Sequence, residues 1–259
     1  MTTLLSVEFL GLFALIIVVS GAVNGLAGFG FAVVGTMALA TVVDPAVAVV
    51  LMIIPMVAAN AMLVSELSAD ELRTCGRRFG PLVASALVGT IVGMIVLEAL
   101  PDRPLRIGLG VITLGFVASQ QQAVPLPPLG GGGSALDGRP AQVAVGSVSG
   151  VLFGATNVGV QLVAYLRSRD LSHGRFVGVV ALVFLGINAI RVGAAGVLGL
   201  YPSLTVVGLS VLASVPAVGG VAIGSRLRGR VTAPVRRRVV LGLLTVIGLR
   251  LLLGGLGIA

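Results

Sequence analysis

Asn24-Gly25-Leu26-Ala27-Gly28-Phe29-Gly30 interrupts the first apolar run of the chain, and the fold turns on how it is read. The run lies between Glu8 and Asp44 and holds 35 uncharged residues. As one straight helix it would extend roughly 52 Å at about 1.5 Å per residue, against a hydrocarbon core of about 30 Å. A break is therefore required. Glycine tolerates positive φ and asparagine can hydrogen-bond freed backbone groups, so residues 24–30 supply it, leaving segments near 5–23 and 29–43.

Composition agrees with a bilayer as solvent. Of 259 residues, 57% are hydrophobic and 10% charged, where soluble domains carry about 25% charged residues. The 17 basic residues are all arginine and give a net charge of +8, which in a soluble protein would suggest nucleic acid. Here they cluster between apolar runs with few aromatics beside them, so the positive-inside rule accounts for them and nucleic acid is excluded as a partner. Cys75 and His173 are the only residues of their types, so a disulfide framework and most zinc chemistry are excluded. Met1 to Glu8 carries no basic residue ahead of the apolar run, so the run reads as a retained membrane segment.

Working outward, spans are expected from Pro45 to Ser65 and from Arg78 to Leu97, then a segment from Leu105 to about Ser119. Residues 120–140, with Pro125, Pro127, Pro128 and four consecutive glycines, read as a linker between a first membrane repeat at 1–119 and a second at 141–259. The second half repeats the plan: a broken segment over 141–167, spans near 176–199 and 203–225, and a last one near 238–256. Ser20, Gly21, Gly25 and Gly30 laid over Ser149, Gly150, Gly154 and Gly159 keep one offset of 129 residues, and Asn60 falls within a residue of Asn188. Arginines crowd opposite loops in the two halves, at Arg73, Arg77 and Arg78 in the first and at Arg167, Arg169, Arg175 and from Arg226 to Arg238 in the second. The expected fold is thus an all-α polytopic membrane protein of two inverted repeats. It has eight full spans, or about ten helical segments if each broken segment counts as two, with both termini on the non-cytoplasmic side.

Broken helices at corresponding places in two halves are the best sequence pointer to a transporter binding site. The candidate substrate-binding residues are Asn24, Gly25, Gly28 and Gly30 in the first half. In the second they are Thr156, Asn157, Gly159 and Gln161, whose amides and hydroxyl could donate to an oxyanion. Arg191 stands about 16 residues into the run that begins at Phe176, and a charge so deep in a span is functional by default, with an anion its obvious partner. Asn188 precedes it by three residues on the same helical face, and Asn60 is placed in the same cavity. The bland alternatives are that the glycines only let helices pack and that Arg191 snorkels or pairs with a carboxylate. Arg250 is expected to snorkel, Glu98 and Asp102 to pair with Arg103 and Arg106 at the interface, Asp44 to cap a helix, and Cys75 and His173 to be ordinary loop residues.

Ser20, Gly21, Gly25, Gly28 and Gly30, followed by Pro45 and Ala48, resemble the glycine-rich opening signature of the sulfite exporter TauE/SafE family. Gly150, Gly154, Asn157 and Gly159 are similar to its repeated counterpart. The resemblance implies a prokaryotic cytoplasmic-membrane permease, usually assigned seven or eight spans, that moves sulfite, sulfonates or related small organic anions as a secondary carrier. Two departures stand out: the family's consecutive glycines are here Gly28-Phe29-Gly30, and its following proline is replaced by Gly35. The second copy, with Ala155, Thr156 and Asn157, departs further.

No phosphate-binding loop, paired catalytic carboxylates or Ser/His/Asp set is evident, so no enzyme activity and no cofactor are expected. The expected partners are a small anion and the lipid bilayer, with a homo-oligomer left open. The alternatives to a secondary transporter are a passive anion channel and a non-transporting accessory subunit.

Overall fold

The computed structural model describes residues 5–65, 67–120, 138–167 and 173–258. In the first half these form α1 (Val7–Ala27), α2 (Phe31–Leu39), α3 (Pro45–Leu51), α4 (Ile53–Val64), α5 (Ala69–Ala99) and α6 (Asp102–Gln120). In the second they form α7 (Arg139–Thr156), α8 (Val160–Arg167), α9 (His173–Val197), α10 (Leu204–Leu212), α11 (Ser214–Leu227) and α12 (Ala233–Leu256). Five stretches are long and apolar enough to cross a membrane: Val7–Ala27, Pro45–Val64, Arg77–Ala99, Phe176–Val197 and Leu204–Leu227. With α3–α4 and α10–α11 each taken as one span, ten segments result. The chain is a multi-pass helical membrane protein. Residues 121–137, most of the expected linker, lie outside the described residues, and its last two positions, Arg139 and Pro140, already belong to α7.

The first break is shorter than the sequence suggests. Asn24 to Ala27 stay helical, and the interruption is Gly28-Phe29-Gly30. Gly28 closes α1 in the left-handed region at φ 78°, its N–H donating to the Asn24 carbonyl at 2.7 Å, and Gly30 opens α2 at φ 109°. Only glycine holds these angles without strain. The second break sits at the expected place, where Asn157 ends α7 at φ 59°. It is the non-glycine residue with positive φ among those described. At nine and eight residues, α2 and α8 are too short to cross a bilayer by themselves.

Two further interruptions were not expected. Pro55 has no N–H to offer the carbonyl four residues back, that of Leu51, and the helix breaks at Met52. The Ser210 hydroxyl donates to the orphaned Leu51 oxygen at 2.8 Å. Pro216 stands in the same relation to the junction at Ala213 between α10 and α11. At the other extreme, α5 extends through residues expected to be loop. Ser68 accepts from the Glu71 N–H while the Glu71 carboxylate accepts from the Ser68 N–H, a capping box that starts the helix well ahead of its apolar part. Cys75 and His173 therefore lie on helices, with their side chains outside the described set.

Glycine sets the packing. On α1, a Cβ at Gly21 would meet the backbone at Ala217, Gly220 and Val221, and one at Gly25 would meet Val221, Gly224 and Ser225. The numbers rise together, so α1 and α11 run parallel. On α7, Gly146, Gly150 and Gly154 press on the α5 backbone at Leu82, Ala86 and Thr90, again in parallel. Gly220 and Gly89 occupy equivalent places, the first against Val18 and Ala22's backbone, the second against Ser147 and Val151, which are the same positions shifted by 129 residues. By contrast α4 and α9 run antiparallel: Leu67, just past α4, meets Gly178 near one end, while Val50 and Ile53 cluster with Ala195 near the other. Helices α6 and α12 are also antiparallel, Ile107 meeting Gly255 and Leu114 meeting Gly248. Each half therefore packs chiefly through helices of the other, and the core is shared.

Candidate functional site

The buried face of α9 carries Ile187, Asn188, Arg191 and Ala195, while Ala189, Ile190, Gly193, Gly196 and Val197 face outward. The 3.6-residue period thus delivers Arg191 inward, and it is 0% exposed. Snorkelling is excluded. One terminal nitrogen donates to the Asn188 side-chain oxygen at 3.1 Å, and the other donates to the Gly154 carbonyl at 3.3 Å. The guanidinium carbon lies 5.0 Å from the Phe153 ring centroid, and Phe153 itself stacks on Phe184. Nε is buried with no partner.

Among the described residues no carboxylate pairs with Arg191; the ion pair recorded, Arg106 with Asp44 at 4.0 Å, is elsewhere. A desolvated cation held only by two neutral acceptors and a ring face is under-compensated, since taking such an ion out of water costs several kcal/mol. A cation–π contact returns about 2 kcal/mol at best. With two of its five N–H donors engaged, the group retains capacity for a further acceptor, and its charge favours an anion.

Asn188 positions the arginine: its amide nitrogen donates back to the Phe184 carbonyl at 2.8 Å, leaving its oxygen aimed at Arg191. Asn157 is the C-cap of α7, directly after Thr156 and three residues past Gly154, in the second break. Its amide nitrogen donates to Thr36 Oγ1 at 2.8 Å and to the Val49 carbonyl at 3.0 Å, and its oxygen is buried without a partner. This bond pair ties the second break to α2 and α3 of the first half.

The remaining candidates divide. Thr156 turns its hydroxyl to the Leu152 carbonyl and accepts from the Val158 N–H, so it caps its own break. Gly159 packs on Phe184 and Phe153. The side chain of Gln161 lies outside the described residues. Gly25 serves helix crossing, Gly28 abuts Val177, and Gly30 lies against Val23. Asn24 is buried with its amide nitrogen unpartnered, and Asn60 donates to the Met56 carbonyl at 2.8 Å. The two breaks thus have different neighbours along α9: the first meets Val177 and the second Phe184, roughly 10 Å further on at about 1.5 Å per residue, while Arg191, about 21 Å beyond Val177, meets Gly154 in the last turn of α7. Of the interfacial charges, Arg106 donates to the Ala40 and Val43 carbonyls just past α2 and Arg103 to that of Gly255 in the last turn of α12, so among the described residues these arginines serve helix ends in place of the ion-pair cluster with Glu98 and Asp102. Asp44 precedes α3 without a side-chain capping bond. Arg250 is exposed, as snorkelling requires.

Sequence reasoning missed Tyr201. It follows α9 in the loop before α10 and packs in a cluster with Val50, Ile53, Met94 and Ala195, the last one helical turn beyond Arg191. Its hydroxyl is buried without a partner. Burial pushes the phenol above its ordinary range, and the nearby Arg191 charge pulls the other way without reversing it, so the group remains a protonated donor. A tyrosine at the end of a span ordinarily reads as an interfacial anchor, and only its packing against the Arg191 face distinguishes it.

A polytopic helical bundle with broken helices and, among the described residues, a desolvated cation with no carboxylate partner is the architecture expected of a membrane transporter. The family model for the sulfite exporter TauE/SafE matches residues 13–251, nearly the whole chain. The chain belongs to that family. No curated protein and no solved structure matches it.

Proposed function

We propose that the chain is a secondary carrier of small anions, of the sulfite and sulfonate kind, in the prokaryotic cytoplasmic membrane. The observation that carries the reading is Arg191, wholly buried, with no carboxylate partner among the described residues and its Nε unsatisfied. Asn188 supplies a polar group beside it, and Phe153 supplies a flat apolar wall. Family membership supports transport, and substrate class is carried by the chemistry of the guanidinium.

We further infer that the halves are inverted. The equivalents Asn60 and Asn188 lie on α4 and α9, which run antiparallel, and the equivalent α1–α11 and α7–α5 crossings use matching glycines. A two-fold axis in the membrane plane relates elements in this way, and rocking of one half on the other would expose the site alternately. The first break stands at a distance from Arg191, so the anion is assigned to the second break and α9 alone.

Reconstituted in proteoliposomes, the protein is expected to move labelled sulfite or methanesulfonate with saturation and counterflow, and Arg191→Gln is expected to abolish both. Flux unaffected by that change removes this site. Large single-channel currents would instead identify a pore.

A further inference from the structure

We propose that the Tyr201 hydroxyl is the second arm of the anion site and selects three-oxygen head groups, sulfite or sulfonate, over planar carboxylates. The inference rests on the assignment of the anion to Arg191. Its basis is the coincidence of two buried, unpartnered donors, Arg191 Nε and the Tyr201 hydroxyl, at one end of α9. Tyr201 packs on the cluster that holds Ala195, one turn beyond Arg191 on the buried face, and it is near enough for the Arg191 charge to act on its hydroxyl. An unpartnered buried hydroxyl costs free energy unless something accepts from it, and no carboxylate is paired with the neighbouring arginine among the described residues.

The oxygen count gives the selectivity. A guanidinium fork engages two oxygens side by side through Nε–H and a terminal N–H. A carboxylate then keeps only the remaining lone pairs of its two engaged oxygens, which lie in the plane of the fork, whereas a pyramidal sulfite or a tetrahedral sulfonate presents a third oxygen out of that plane. The Tyr201 O–H is the donor for it. Site-built hydrogen bonds of this kind discriminate, because a ligand with no acceptor on the Tyr201 side leaves the buried donor unpaired.

The test uses the full-length protein in detergent with sulfite, methanesulfonate and acetate as titrants, read by calorimetry. Tyr201→Phe is expected to weaken sulfite and methanesulfonate about tenfold or more, and acetate by less than about twofold, since a hydrogen bond to a charged group is typically worth that much. The melting temperature of the unliganded variant should stay level or rise, because an unpartnered polar atom has been removed. Tyr201→Met, which keeps an apolar side chain and lacks the hydroxyl, should reproduce the pattern if the phenylalanine variant folds poorly. Equal weakening of all three anions, or none, overturns the proposal. Arg191→Gln separates the layers: if it abolishes binding while Tyr201→Phe is unselective, only the tyrosine assignment falls. If it leaves all three affinities untouched, or if the unaltered protein binds none of the three, the anion site itself falls and this inference with it.

Discussion

The centres of the two halves are built alike for one turn and then diverge. Asn60 donates to the carbonyl four residues before it, Met56, and Asn188 does the same to Phe184, both at 2.8 Å. Three residues on, the first half has Leu63 and the second Arg191, each 0% exposed. The carbonyls opposite differ too: that of Gly154 accepts from Arg191, whereas the equivalent Gly25 carbonyl accepts from Arg228 Nε at 2.8 Å, and Phe153 corresponds to Asn24. The two centres thus share the asparagine turn, and one of them carries the charge. One buried cation can be served by one anion; two within the same core would repel each other as well as cost twice the desolvation.

The largest effect is expected from moving that charge. Arg191→Leu makes the second centre resemble the first and should reduce anion flux at least about a hundredfold, a charge-assisted contact being lost outright. Adding Leu63→Arg to it should not restore transport, because the Gly25 carbonyl is already engaged by Arg228 and no aromatic face replaces Phe153. Proteoliposome flux of both variants checks this, and recovery in the double variant would show that either half can carry the site.

Where the halves are alike, damage should be alike. A Cβ at Gly25 would lie 2.7 Å from the Ser225 nitrogen, and one at Gly154 would lie 3.0 Å from the Met94 nitrogen, in each case against backbone that cannot rotate away. Gly25→Val and Gly154→Val are each expected to destabilise the fold by about 3 kcal/mol or more, the upper range for overpacking, and detergent melting curves should show matching losses. A variant that melts normally yet fails to transport would reassign that glycine from packing to the site.

The central spans supply a smaller contrast. Pro55 breaks the first at Met52, whereas the second has Val183 at the corresponding position and α9 runs without interruption. Ser210→Ala strips the Leu51 carbonyl of its donor and should cost about 1 to 3 kcal/mol. In a Pro55→Ala background the restored N–H can serve that carbonyl, so the same change should cost less. A double-mutant cycle on melting free energies measures the coupling, and strict additivity would mean that the proline does not create the need for Ser210.

Much of this was legible before any coordinates. Charge-free lengths and the placement of arginines locate the segments because lipid admits few alternatives to a helix, and the burial of Arg191 follows from its depth in a run. The function of individual glycines was not legible: Gly25 and Gly28 look equivalent in sequence, yet one serves a helix crossing and the other a left-handed cap, a distinction set by which helix arrives opposite. The same holds for Tyr201 and Ser210, whose roles depend on contacts with α3 and α4 far away in the chain. The meeting of the two breaks around one anion was an expectation from symmetry. The contacts give each break its own neighbour on α9, Val177 for Gly28 and Phe184 for Gly159, a detail that depends on packing and that no sequence pattern carries.

The smallest effect concerns the residue that distinguishes the breaks themselves. Gly28 and Asn157 hold corresponding left-handed positions, at φ 78° and 59°, but only asparagine brings a side chain, and it reaches Thr36 and the Val49 carbonyl. Asn157→Gly relieves about 1 to 2 kcal/mol of left-handed strain and forfeits two hydrogen bonds worth about 1 kcal/mol each. The near cancellation should leave the melting temperature within a few degrees of the parent. Transport should nevertheless fall several-fold if the tie between the second break and α2 also steadies the Gly154 carbonyl, three residues before Asn157, against Arg191. If flux is unchanged, Asn157 is a cap like Gly28 and the difference between the breaks carries no function; if stability collapses, the asparagine holds the two halves together and its place beside the cation is incidental.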